Sequence, residues 1–215
     1  MTRLSQALTA KACWAQRWVP VALVFVILLL LSACAEQTWA NDEAVQAARY
    51  HHGGAPELTL VTIMNYTTGR GDHTALFINA TERVLFDPAG SWALANIPER
   101  NDVHFGMTPA IGASFYASHV RPSHFAVVQR LAVAPDVAEM AQALALQTGP
   151  VPPARCASAT SRLLQQLPGL ESIRSSYFPH VVMQGFATLP GVVTYELHHD
   201  STEFQAEILA VQRPI

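Results

Sequence analysis

Between residues 58 and 64 apolar side chains alternate with threonine, and that period of two predicts a strand. A polar loop follows at 65–71. Two more apolar runs, 74–78 and 83–86, are joined by the short polar stretch 79–82 and read as a hairpin. Asp87-Pro88-Ala89-Gly90 closes it, because proline and glycine end strands. Residues 91–106 show no period. A helix is expected over 108–118, with Pro109 near its first turn, then a strand over 125–131. A second helix is expected over 135–147: Pro135 opens it, Asp136 and Glu139 suit its positive end, alanines fill its middle and Gly149 stops it. The stiff connector Pro150-Val151-Pro152-Pro153 leads to a third helix, from about Cys156 to Leu167 and ended by Pro168-Gly169. A short helix over 179–187 and closing strands over 192–197 and 204–211 complete the pattern. A hairpin, then helices, then late strands is the order of an α+β domain.

The N-terminus has a different character. Arg3, Lys11 and Arg17 precede an apolar run that starts at Trp18 and ends in the small residues before Cys34. A positive segment, an apolar segment and a small-residue cleavage site make a secretory signal rather than a membrane span. Leu31-Ser32-Ala33-Cys34 resembles a bacterial lipobox. That resemblance implies cleavage before Cys34 and diacylglycerol on its sulfur. It divides the chain into a signal peptide (1–33), a lipidated tether (34–57) and a domain (58–215). The tether is polar, with one short helix expected over 42–50 and the pair His51-His52 near its end. The implied location is the cell envelope, lipid-anchored to a membrane. Because Ala35 rather than Asp follows Cys34, the periplasmic face of the outer membrane is favoured in a Gram-negative organism.

Composition narrows the partners. Loss of the signal removes three of the thirteen basic residues and none of the sixteen acidic ones, leaving ten arginines, no lysine and a net charge of −6. Such a chain has no basic footprint for nucleic acid. No His, Cys or carboxylate group has metal-ligand spacing, His51-His52 and His198-His199-Asp200 included, and no cofactor or metal is implied. Arg70-Gly71-Asp72 reads as the turn into the second strand.

Once Cys13 leaves and Cys34 is lipidated, Cys156 stands alone. It opens a helix, where the partial positive charge and unpaired N–H groups favour a thiolate. The alternative is a small apolar packing residue; a redox role would require a partner thiol from another protein. A cysteine nucleophile needs a base. Among nine histidines His73 stands out, because it begins an apolar strand after a flexible loop. Asp87 ends the following strand and could orient that base, but only if the hairpin turn has an odd number of residues; otherwise the two lie on opposite faces. His104 and His119 are the other candidates for the third position.

Three segments together carry a further resemblance. They are Gly71-Asp72-His73-Thr74-Ala75-Leu76-Phe77-Ile78, Leu85-Phe86-Asp87-Pro88-Ala89-Gly90, and Arg155-Cys156-Ala157-Ser158-Ala159-Thr160-Ser161 opening a helix. In this order they resemble the circularly permuted branch of the NlpC-type papain-like hydrolases, in which the His strand precedes the Cys helix. The resemblance spans roughly residues 58–200. It implies a permuted papain-like domain with an antiparallel sheet packed on helices, Cys156 as nucleophile and His73 as base. Relatives include cell-wall peptide amidases and lipid acyltransferases. The implied substrate is therefore a peptidoglycan peptide, or a lipid ester or amide. A tethered binding module that keeps the fold with a buried, neutral Cys156 is the non-enzymatic alternative.

Overall fold

The computed structural model describes residues 37–202 and 204–205. The segment read as a signal peptide, Cys34 and the stretch beyond 205 lie outside the described residues. Among those described, no helix is long and apolar enough to cross a membrane.

The elements in chain order are α1 (Asp42–Ala48), β1 (Glu57–Asn65), β2 (Gly71–Asn79), β3 (Arg83–Phe86), β4 (Glu99–Arg100), β5 (Val103–His104), α2 (Pro109–His119), β6 (His124–Ala132), α3 (Pro135–Thr148), α4 (Cys156–Leu164), α5 (Pro179–Ala187) and β7 (Val193–Leu197). The strands form one sheet in the order β4-β5-β3-β2-β1-β6-β7. Every neighbouring pair is antiparallel. The domain is therefore α+β, as the element order predicts.

Helices cover both faces of the sheet, which is why β1 is buried at all seven of its interior positions rather than alternately. On one face Leu58, Leu60, Leu76, Ile78 and Phe86 share a core with Ala141 of α3, Leu163 and Leu164 of α4 and Phe186 of α5. On the other, Val61, Phe77, Leu85 and Val128 pack with Trp92, Met107 and Phe115 and Tyr116 of α2. The strand period of two assigns alternate residues to these two cores.

Three expectations need correction. Phe204 and Gln205 are helical, with Gln205 N–H donating to Ser201 C=O at 3.1 Å, so no strand begins at 204. The irregular stretch 91–106 contains the short strands β4 and β5, which extend the sheet beyond β3. The polar segment read as a tether is docked over much of its length. Its Val45 is only 7% exposed within the core, Ala40 N–H donates to Glu99 C=O at 2.9 Å, and Tyr50 C=O accepts from Arg83 N–H at 2.8 Å.

Candidate active site

The β2–β3 hairpin sets the first part of the geometry. Asn79 pairs with Arg83, so three residues, Ala80 to Glu82, make the turn. That odd number puts His73 and the residue just past β3, Asp87, on the same face. Their side chains meet: His73 Nε2 lies 2.5 Å from Asp87 Oδ1. His73 is the third residue of β2 rather than its first. The β1–β2 register slips beside it, where Ile63 pairs with His73 but Met64 pairs with Gly71, leaving Asp72 as the extra residue of a bulge. Bulges re-aim side chains at a sheet edge, and Asp72 turns to accept from Asn65 Nδ2 at 3.0 Å and to meet His124 Nε2 at 3.0 Å.

Cys156 is the first residue of α4. The preceding N-cap residue, Arg155, makes no side-chain cap bond, so the first N–H groups of the helix remain for the sulfur. The thiol is a free cysteine and 7% exposed. Burial alone would raise its pKa, but His73, by hydrogen bond and by charge, and the backbone N–H groups of Thr74 and Ala157 lower it overall. Arg155, a neighbour in sequence, is exposed and is not among the causes. His73 shows the reciprocal effect. Burial lowers its proton affinity, yet the bonds to Asp87 and Cys156 and their charges raise the pKa to about 10. With Nε2 committed to Asp87, Nδ1 is the ring nitrogen left for the thiol. The three side chains form an ordered row, Asp87, His73 and Cys156, in which the carboxylate favours the charged ring and the charged ring favours a thiolate.

The two other candidates for the third position take different places. His119 stacks on the face of His73, with ring centroids 5.7 Å apart and an angle of 12°, so it cannot accept in the plane of that ring. Its Nδ1–H donates to Phe115 C=O at 2.8 Å. His104 is 3% exposed and meets Trp92 edge to face at 5.0 Å. Burial depresses the pKa of both rings.

Three features of the site have no counterpart in the sequence reading. A Cβ on Gly90 would fall inside the Asp87 carboxylate, 2.6 Å from Oδ1 and closer to Cγ and Oδ2. Glycine is thus required for Asp87 to lie where it does. Asp102 ties the two halves together. Its C=O accepts from Asp87 N–H at 2.8 Å, and its carboxylate Oδ2 accepts from Val151 N–H at 2.7 Å on the connector before α4. The three non-glycine residues with positive φ are Ala89, Asn101 and Ala154 among those described. They stand beside Asp87, Asp102 and Cys156 in the chain. Such torsions cost about 1–3 kcal/mol each and persist where the surroundings over-determine them. Only Gly90 left a trace in the sequence, as the last residue of the strand-ending Asp-Pro-Ala-Gly.

A cavity of about 430 Å³ opens beside the row, lined by His73, His119, Trp92, Asp72, Arg121 and His124 among others. Cys156 is not on its lining, so the cavity reaches the histidine and stops short of the sulfur. Among the described residues no group of three or more His, Cys, Asp or Glu is placed to hold a metal ion.

No protein-family model, curated protein or solved structure matches this chain. The functional reading therefore rests on the site itself and on the lipobox-like and NlpC-like resemblances of its sequence.

Proposed function

We propose that the protein is a lipid-anchored cysteine hydrolase of the bacterial envelope, cleaving amide bonds of the peptidoglycan-peptide class on a permuted papain-like (NlpC-type) domain. The observation that carries this reading is the placement of His73 between Asp87 and Cys156, with the cysteine at a helix start that lacks a side-chain cap. Cys156 Sγ attacks the carbonyl carbon, and backbone N–H groups at the start of α4 receive the developing oxyanion. His73 gives its proton to the leaving amine. The C–N bond breaks and an acyl-enzyme remains. His73, now neutral, takes a proton from water, whose oxygen attacks the acyl carbon and releases the thiolate. Asp87 holds the ring and balances the imidazolium charge.

A second reading is a non-catalytic tethered module. It is favoured by the burial of Cys156 and by its absence from the cavity lining. Iodoacetamide labelling of Cys156 against pH, followed by mass spectrometry of the full chain, separates the two. The hydrolase should show a thiol pKa well below the free value of about 8.5. His73→Ala should raise it. Peptidoglycan peptides should release new amines in a reaction lost in Cys156→Ala. Slow labelling that ignores His73, with no amine released, would leave the module.

A further inference from the structure

Another cavity lies away from the thiol, and Cys156 is not on its lining. It lies on the α2-covered face of the sheet, at the other end of that helix. The N-terminal part of α2, from Pro109 to Tyr116, lines it, whereas His119 at the helix C-terminus lines the cavity beside His73. β2 spans the same distance, with Phe77 and Asn79 at this end and His73 at the other. Six residues of strand separate His73 from Asn79, about 20 Å.

Its lining combines cations with aromatic walls. Arg83 is held by its backbone at the hairpin, where its N–H donates to Tyr50 C=O at 2.8 Å and its C=O accepts from Met107 N–H at 3.3 Å. Its guanidinium carbon lies 5.1 Å from the centre of the Phe77 ring. Among the described residues no carboxylate is within ion-pair distance of it. Arg130, by contrast, is satisfied: its Nε meets the two Glu57 oxygens at 2.9 and 3.0 Å, and its Nη2 meets Oε2 at 2.8 Å. His52 completes the polar rim. Burial first, then the Arg83 charge, lowers its proton affinity against the opposing charge of Glu57. Two arginines against one glutamate leave the lining with one net positive charge, in a domain that is otherwise acidic. The start of α2 adds the positive end of a helix dipole.

We propose that this cavity binds a small organic carboxylate, with the Arg83 fork on the two carboxylate oxygens and the body of the ligand against Phe77, Tyr116 and Tyr195. The volume of about 330 Å³ suits one small molecule. A planar fork with no ion-pair partner among the described residues matches the two oxygens of a carboxylate. A phosphate would bring a second charge that only the occupied Arg130 could meet. The site is independent of the hydrolase reading and stands whether or not Cys156 is reactive.

The test is ligand-observed NMR titration of the detergent-solubilised full chain with benzoate, its neutral isostere benzamide, and inorganic phosphate. Benzoate should bind at least about tenfold tighter than benzamide, because the charged hydrogen bonds to Arg83 are lost in the amide. Arg83→Gln should remove that preference, and Arg83→Lys should keep part of it. The comparison of benzoate with benzamide in the unaltered chain needs no variant and so survives any folding defect. Equal binding of the two, no binding of benzoate at millimolar concentration, or a benzoate preference that persists in a folded Arg83→Gln would each overturn the proposal. Tighter binding of phosphate than of benzoate would overturn the carboxylate assignment.

Discussion

Gly90 offers the sharpest test of the row Asp87–His73–Cys156. Its φ lies outside the positive region, so an alanine there meets no backbone penalty. What it meets is the Asp87 carboxylate, into which the new methyl would project. Either Asp87 swings away or the turn closed by Gly90 N–H to Asp87 C=O, at 3.0 Å, opens. Both movements take the carboxylate off His73, which it now holds at 2.5 Å. A hydrogen bond to a charged group contributes about 1.5–3 kcal/mol. One pKa unit corresponds to about 1.4 kcal/mol, so the imidazolium should lose one to two units of proton affinity. Lowered by that much from about 10, the ring is still cationic at neutral pH, so the change appears at the alkaline end of its titration. Gly90→Ala should therefore lower the midpoint at which His73 gives up its proton, followed by NMR of the imidazole ring, by about one to two pH units. Asp87→Asn should move the midpoint the same way, and a thermal melt would show that both variants are folded. A Gly90→Ala protein that titrates like the wild type, while Asp87→Asn is shifted, would mean that the loop absorbs the methyl. If neither variant shifts, Asp87 does not tune the pair and the row is only a packing arrangement.

Two further outcomes follow from burial and backbone geometry. Burial, then the charges of Asp102 and Asp87, raises the Glu99 carboxyl from its ordinary 4.5 to about 7. A group that binds its proton more tightly when folded contributes stability that is full below the ordinary value and lost as pH rises through the folded one. The melting temperature should thus fall between pH 4.5 and about 7 from this source, and Glu99→Gln should flatten that slope; an unchanged slope would place the titration elsewhere. Gly106 has a φ of 70°, and a Cβ there would lie 2.6 Å from Ala48 C=O at the end of α1. Gly106→Ala should cost about 1–3 kcal/mol in denaturant titration and speed proteolysis between residues 37 and 50, which an undocked tether would not require.

Much of the site could be read before the structure, and the reasons are physical. The runs 58–64 and 83–86 carry strong strand patterns, and a hairpin's side-chain parity depends only on the length of its turn. The His73–Asp87 meeting thus followed from one odd number. Cys156 was legible because Pro150–Pro153 cannot continue a helix and the residues after Arg155 can. Residues that act through tertiary contacts were not legible. β4 and β5 are two residues each and have no period to detect. Trp39 to Tyr50 looks like a linker because it is polar, yet Val45 and Ala40 on the core, a few backbone bonds and the Arg100 side chain suffice to dock it. Asp102 joins the turn after β3 to the connector before α4, which are some sixty residues apart in the chain, and nothing local marks it. The last apolar run misled because Phe204 reaches its core from a helical turn instead of a strand.

The acidic groups behind His73 give the site a dependence on pH that the pair alone would lack. Burial, with the Asp87 charge adding to it, raises Asp102 to about 6 and Glu99 to about 7. The coupling is mutual: as Glu99 and Asp102 release their protons, negative charge accumulates around Asp87 and so around the imidazolium it holds. Burial lowers the proton affinity of His104 and His119, so the buried rings nearby favour a balancing positive charge less than free histidines would. Raising the pH from 5 to 8 would strip an isolated histidine of its proton; His73, raised to about 10 beside Asp87 and Cys156, keeps it through that range. The thiolate needs that imidazolium as its counter-charge. Cys156 therefore forms its thiolate against a ring that stays charged, while anions added nearby as Glu99 and Asp102 ionise oppose one more negative charge. Glu99→Gln therefore carries two signatures at once, a flatter stability profile and an earlier rise of Cys156 alkylation with pH, because one anion fewer opposes the thiolate. A carboxyl that merely packed there would produce only the first.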